Sequence, residues 1–115
     1  MSEQVPTIGR IVHYRLSMDD ADQINRRRTD GGSIAQRMKY GDDPLLKAWP
    51  AGAQAHIGNG VKEGDIFPMM ITRVWGSTPG SAVNGQAYLD GTDVLWVTSV
   101  CVGDGPRTFS WPTRA

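Results

Sequence analysis

From Ile66 onward the chain is a series of short runs of β-branched and aromatic residues, each stopped by glycine or proline. Ile66–Trp75 reads as a strand ending at Gly76, and Ser77–Ser81 as a turn. Ala82–Leu89 is a second strand, closed by Asp90-Gly91, a hairpin signal. Val94–Val102 is a third. Gly103-Asp104-Gly105-Pro106 turns the chain into a last short strand, Thr108–Trp111, stopped by Pro112. Such spacing allows only hairpin-scale connections, so neighbouring strands should pair antiparallel. Ile8–Arg15, with Ile11, Val12 and Tyr14, supplies a fifth strand. Five strands of this length close most economically as a small SH3-like five-stranded barrel or a bent antiparallel sheet. The 14 glycines and 7 prolines in 115 residues agree with many turns and short elements.

The rest of the chain is arranged around that sheet. Residues 1–7 read as a tail, and 16–64 as a helix-containing insertion between the first two strands of a single domain, 1–115. Ser17 precedes Met18-Asp19-Asp20-Ala21 as a helix N-cap, with Asp20 placed to complete a capping box. Met18, Ala21 and Ile24 form a narrow apolar stripe. Acidic residues in the first turns and Arg26, Arg27 and Arg28 in the last suit the helix dipole. Thr29-Asp30-Gly31-Gly32 is the expected stop. Ser33–Tyr40 suggests a second short helix. Gly41–Gly64 reads as a long loop with a helical turn near Leu45–Trp49; a loop of that length is usually functional or covers something.

Composition removes several functions. Twelve basic and twelve acidic residues balance to zero net charge, unlike a protein that coats duplex nucleic acid. Hydrophobic residues at 39% and charged residues at 21% are enough for a core. The single cysteine, Cys101, excludes an intrachain disulfide and a Cys-x-x-Cys zinc site. Its place in the apolar run Val97–Val102 predicts a buried thiol. Apolar runs such as Ile66–Ile71 are far below the roughly 20 residues of a spanning helix. The opening Met1-Ser2-Glu3-Gln4 lacks a basic and an apolar signal region. The expectation is a soluble protein of the cytoplasm, with no membrane partner.

No catalytic motif stands out. His13 and His56 have no nearby ligand set for a metal, and neither begins a His-x-Thr/Ser pair. Gly58-Asn59-Gly60 and Gly103-Asp104-Gly105-Pro106 lack the Walker and dinucleotide patterns and read as turns. Thr98 and Ser99 lack a nucleophile-elbow setting. The expectation is therefore no enzyme and no cofactor. Two other features suggest binding. Arg26, Arg27, Arg28, Arg37 and Lys39 form a local basic cluster, and arginine holds phosphate through a planar pair of donors. Four tryptophans, Trp49, Trp75, Trp96 and Trp111, are many for a small barrel interior. Core packing is the ordinary role of Trp75 and Trp96 on strands, yet at least one indole should lie at a groove or a subunit interface.

Several phrases stand out: Ile8-Gly9-Arg10-Ile11-Val12-His13-Tyr14, Ala21-Asp22-Gln23-Ile24-Asn25-Arg26-Arg27-Arg28, Gly58-Asn59, Glu63-Gly64-Asp65-Ile66-Phe67-Pro68, Val74-Trp75, Val83-Asn84, Leu89-Asp90-Gly91, Trp96-Val97-Thr98-Ser99-Val100 and Trp111-Pro112. Together they resemble a group of small phage and prophage accessory proteins. The group's terminal Trp-His-Trp-Pro is here Phe109-Ser110-Trp111-Pro112, so no role for that histidine carries over. Its Val-Asn-Leu is here Val83-Asn84-Gly85.

The overall plan is similar, more distantly, to the phage anti-defence nucleotide sponges that counter Thoeris and related systems. That resemblance implies a β-rich oligomer in the host cytoplasm that sequesters a cyclic oligonucleotide or ADP-ribose-derived signal without cleaving it. On that reading Arg26 or Arg28, with Arg73, would hold phosphate. A base would stack on Trp75, Trp96 or Tyr40, and His56 and Asn59 of the long loop would complete the site. At least a homodimer is expected. The rival expectation is a protein-binding module that inhibits a host protein or decorates a virion.

Overall fold

The computed structural model describes residues 4–28 and 57–113. The expected helix stop at Thr29-Asp30-Gly31-Gly32, the second helix Ser33–Tyr40 and the turn near Leu45–Trp49 lie outside the described residues, as do Tyr40 and His56.

The fold is mostly β, with one helix among the described residues. Its strands are β1 (Ile11–Arg15), β2 (Ile66–Val74), β3 (Val83–Tyr88), β4 (Val94–Val100) and β5 (Thr108–Ser110). A helix, α1 (18–28), follows β1. The strands form one antiparallel sheet in the order β4-β3-β2-β1-β5, curled into a half-barrel. Val102, just past β4, makes a parallel bridge to Phe109 of β5, drawing the two ends of the sheet together. The expected strands are all present. Each is shorter than its sequence run by one to three residues.

Alternation sets the inside and the outside of the sheet. Val12, Tyr14, Met69, Ile71, Val83, Ala87, Leu95, Val97, Val100 and Phe109 face inward and are buried. Leu16, Leu89 and Ile24 of α1 complete this core. Gly85 also faces inward, because Met69 lies across it: a Cβ there would be 2.6 Å from Met69 Cγ. Two register irregularities, at Ile71/Arg73 of β2 and opposite Val83/Gly85 on β4, bend the sheet. The second includes Ser99, whose φ of 54° lies in the left-handed region.

The helix begins as its sequence predicts. Asp20 N–H donates to Ser17 Oγ at 3.1 Å, and Ser17 N–H donates to Asp20 Oδ2 at 3.0 Å, a reciprocal capping box. The Tyr14 hydroxyl donates to the same Asp20 carboxylate, tying the cap to the core. The apolar stripe is narrower than expected: Ala21 and Ile24 are buried, whereas Met18 is exposed. Cys101 is also exposed, against the expectation of a buried thiol. The apolar run continues to Val102, but inward alternation ends at Val100. Among the described residues no helix is long and apolar enough to cross a membrane.

Candidate functional site

Two groups of candidate residues come together in the structure, and they differ in character. The first joins the end of α1 to the β3–β4 connection. Arg27 Nη1 lies 3.0 Å from Asp93 Oδ2 and also donates to the Val94 carbonyl at 3.1 Å. Arg28 Nη1 lies 2.9 Å from Asp93 Oδ1. Asp93 is only 3% exposed as a side chain, and Arg28 8%. Burial pushes the Asp93 carboxyl up, but hydrogen bonds from Arg27 and Arg28 outweigh it and hold the group below its ordinary value. Adjacent helical positions leave the axis about 100° apart. These two arginines nevertheless converge, because their long flexible stems reach back to one carboxylate. Arg26 is exposed.

Residues 57–59 complete this first group. Thr92 N–H donates to the Ile57 carbonyl at 2.8 Å, and Asn59 N–H to the Asp90 carbonyl at 2.9 Å. The Asn59 side-chain amide donates to Asp90 Oδ2 at 2.7 Å, and Arg28 Nε–H donates to the Asn59 carbonyl at 3.1 Å. The hairpin signal Asp90-Gly91 lies in the connection between the antiparallel strands β3 and β4, and a two-residue turn would use its glycine for dihedral freedom. Gly91 serves close approach instead. A Cβ there would be 2.6 Å from the Ile57 carbonyl oxygen and 2.9 Å from Arg28 Nη2. The Arg28 guanidinium therefore already holds a carboxylate and lies against backbone. Of the atoms expected to hold phosphate, Arg28 Nη1 and Nε are taken by Asp93 and the Asn59 carbonyl, while Nη2 is buried without a hydrogen-bond partner among the described residues; the Asn59 amide is taken by Asp90.

The second group lies on the outer face of the sheet. Arg73 and Trp75 follow Thr72 on the same side, and the Arg73 guanidinium lies 4.1 Å over the Trp75 ring. Trp75 Nε1–H donates to Asn84 Oδ1 at 3.1 Å, and Ser99 N–H donates to the same oxygen at 2.9 Å. Two donors on one oxygen fix the amide orientation and aim Asn84 Nδ2 away from them. Trp75 is 54% exposed and Trp96, opposite Gln86 on the same face, 65% exposed. Core packing, the ordinary expectation for strand tryptophans, is thus overturned for both. Leu95 and Val97 take the inward positions of β4, and alternation puts Trp96 outside. Tyr88, paired with Val94, adds a third exposed ring.

The charge of this face has one sign. None of the five strands contains an aspartate or a glutamate, while outward positions hold His13, Arg15 and Arg73. Arg15 Nη1–H donates to the Gly64 carbonyl at 3.2 Å, and the other two are exposed. Among the described residues the carboxylates are kept to the helix and the connections.

The structure brings together Arg73, Trp75 and Trp96 on one face, and Arg28 and Asn59 in the other group. Sequence reasoning missed Asn84 and Tyr88. Their period-two relation to the inward residues Val83, Gly85 and Ala87 could have placed both outside. Among the described residues no three His, Cys, Asp or Glu side chains gather as metal ligands would. Comparison of the chain with protein-family models, with curated proteins and with solved structures finds no match in any of the three.

Proposed function

We propose that this chain is a phage-encoded, non-catalytic protein that binds and sequesters a small nucleotide immune signal in the host cytoplasm, and that the ligand sits on the outer face of the sheet. The observation that carries this reading is the exposed Arg73–Trp75 stack beside Asn84, on a sheet without carboxylates. A phosphate finds a charge-assisted donor in Arg73 and meets no repelling acid on the strands. A base finds indole faces, and stacking on an aromatic side chain contributes about 1–3 kcal/mol per base. Asn84 Nδ2 offers a hydrogen bond to a base edge or to a phosphate oxygen. Arg28 and Asn59 hold the scaffold behind this face.

Sequestration requires tight binding: a nanomolar Kd corresponds to about 12 kcal/mol. One open sheet face supplies only part of that. A second copy closing over the same face supplies the enclosure, so the proposal includes a homodimer. The rival reading, a protein-binding module, draws on Ile11, Val94 and Tyr88, exposed apolar side chains of the same surface.

A thermal-shift screen against cyclic dinucleotides, cyclic trinucleotides and ADP-ribose derivatives tests the reading. A ligand at 100 times its Kd should add about 2.7 kcal/mol of stability, and it should be recovered chemically intact after heat denaturation. Arg73→Ala should abolish most of the shift while leaving the unliganded melting temperature unchanged. If no nucleotide stabilises the parent protein, the nucleotide reading falls and the protein-binding module replaces it. A recovered product in place of the ligand would make the protein an enzyme.

A further inference from the structure

The outer face carries two aromatic patches, and their separation bears on the kind of nucleotide the face accepts. One patch is Trp75 with Arg73 stacked on it, at the end of β2. The other is Trp96 with Tyr88. Tyr88 pairs with Val94, so Trp96 is its diagonal neighbour on the adjacent strand, about 7–8 Å away. Trp75 N–H donates to the Ala82 carbonyl of the strand beside it, and Trp96 stands opposite Gln86. Trp75 and Trp96 are thus two strands apart and offset by the distance from Ala82 to Gln86. With strands about 4.8 Å apart and a rise of about 3.3 Å per residue, their backbone positions are separated by roughly 10 Å across the sheet and 13 Å along it. A single base cannot lie on both patches.

The ground between them is polar but uncharged. Gln86 and Asn84 alternate with inward residues along β3, and Thr98 and Ser99 lie beside them on β4. Such a strip suits a sugar–phosphate link: it offers hydrogen bonds and no carboxylate to repel the phosphate. The only arginine among the strand residues here, Arg73, lies at one end of the strip rather than along it.

Resting on the nucleotide reading above, we propose that the outer face recognises a nucleotide of at least two bases joined through phosphate, with one base on Trp75 and another on Trp96 and the linkage crossing Asn84 and Gln86. The chemistry fits a short single strand and a cyclic oligonucleotide alike. It excludes a mononucleotide as the preferred ligand.

A length series tests this. The full chain is titrated with AMP, with linear oligoadenylates of two, three and four residues, and with cyclic triadenylate, following tryptophan emission. The same titrations are run on Trp75→Ala and Trp96→Ala. Both side chains are largely exposed, and an unchanged melting temperature confirms that each variant folds. The expected result is at least a tenfold tighter Kd for the best linked adenylate than for AMP, with that gain lost in either variant. Tight binding of the linear forms, of the cyclic form or of both supports the proposal and identifies which source the face accepts. If AMP binds within threefold of every linked adenylate, or if the gain survives both substitutions, the two-base proposal is overturned while the nucleotide reading stands. If none of these probes binds and the screen above is also negative, both fall.

Discussion

At the scale of single residues, two buried ionisable groups do structural work and leave a pH signature. Asp93 holds two guanidiniums and its carboxyl is depressed below the ordinary 3.8. A depressed acid contributes stability above its unfolded pKa and loses it as pH falls through the folded value. The melting temperature should therefore fall as the pH drops below about 4. Asp93→Asn should cost about 3 kcal/mol at neutral pH, because two arginines lose their buried counter-charge, and should flatten that acid limb. A neutral-pH loss below about 0.5 kcal/mol in denaturant melts would show the pair to be unimportant. Tyr14 behaves oppositely. Burial, and then its hydrogen bond to Asp20, raise its hydroxyl well above the ordinary 10.0. The unfolded chain releases that proton first, so stability is intact below pH 10 and declines as the pH rises further. In Tyr14→Phe this alkaline decline should be shallower than in the parent. Equal slopes in the two proteins would refute the assignment.

At the scale of elements, the α1 start was legible because its signal is local. Ser17 and Asp20 are three residues apart, and their reciprocal bonds require nothing from the rest of the fold. Ser17→Ala should therefore cost about 1 kcal/mol, read as a shift in denaturant midpoint without a change in slope. A neutral result would mean that Asp20 and Tyr14 hold the helix start unaided. The strands were legible for a similar reason: period-two alternation and glycine stops are printed in consecutive residues. What was not legible came from long-range partners. Arg27 and Arg28 read as partners of the helix dipole and as part of a basic cluster, and the acid that claims them, Asp93, is distant in sequence. The exposed edge of β4 shows the same dependence. Arg27 donates to the Val94 carbonyl and Arg107 to the Thr98 carbonyl at 3.0 Å, so arginines from elsewhere in the chain occupy edge groups that could otherwise pair with another strand. Trp75 and Trp96 were ambiguous because an indole on a strand fits either face; only the inward neighbours decide.

At the scale of the whole molecule, the sheet separates two kinds of surface. Its inner face is a closed apolar core under α1. Its outer face carries exposed aromatics, two arginines, a histidine and, on its strands, no carboxylate. Exposed apolar side chains such as Ile11, Trp75, Tyr88, Val94 and Trp96 on a small domain favour pairing with closed symmetry. Light scattering at micromolar concentration should give twice the 12.5 kDa chain mass, and Trp96→Glu should shift the mass toward the monomer. A parent protein that stays at 12.5 kDa would leave the face open and remove the enclosure that sequestration needs.

The central claim is that ligand binds the outer sheet face rather than the arginines at the end of α1. Indole Nε1–H resonances in a two-dimensional NMR spectrum report on this directly, since Trp75 and Trp96 stand on that face and Trp111 packs against Phe109. Adding cyclic triadenylate should move the signals assigned to Trp75 and Trp96 and leave that of Trp111 in place. Saturable binding that leaves both Trp75 and Trp96 unmoved, while shifting the Arg26 and Arg28 side-chain signals, would contradict the account.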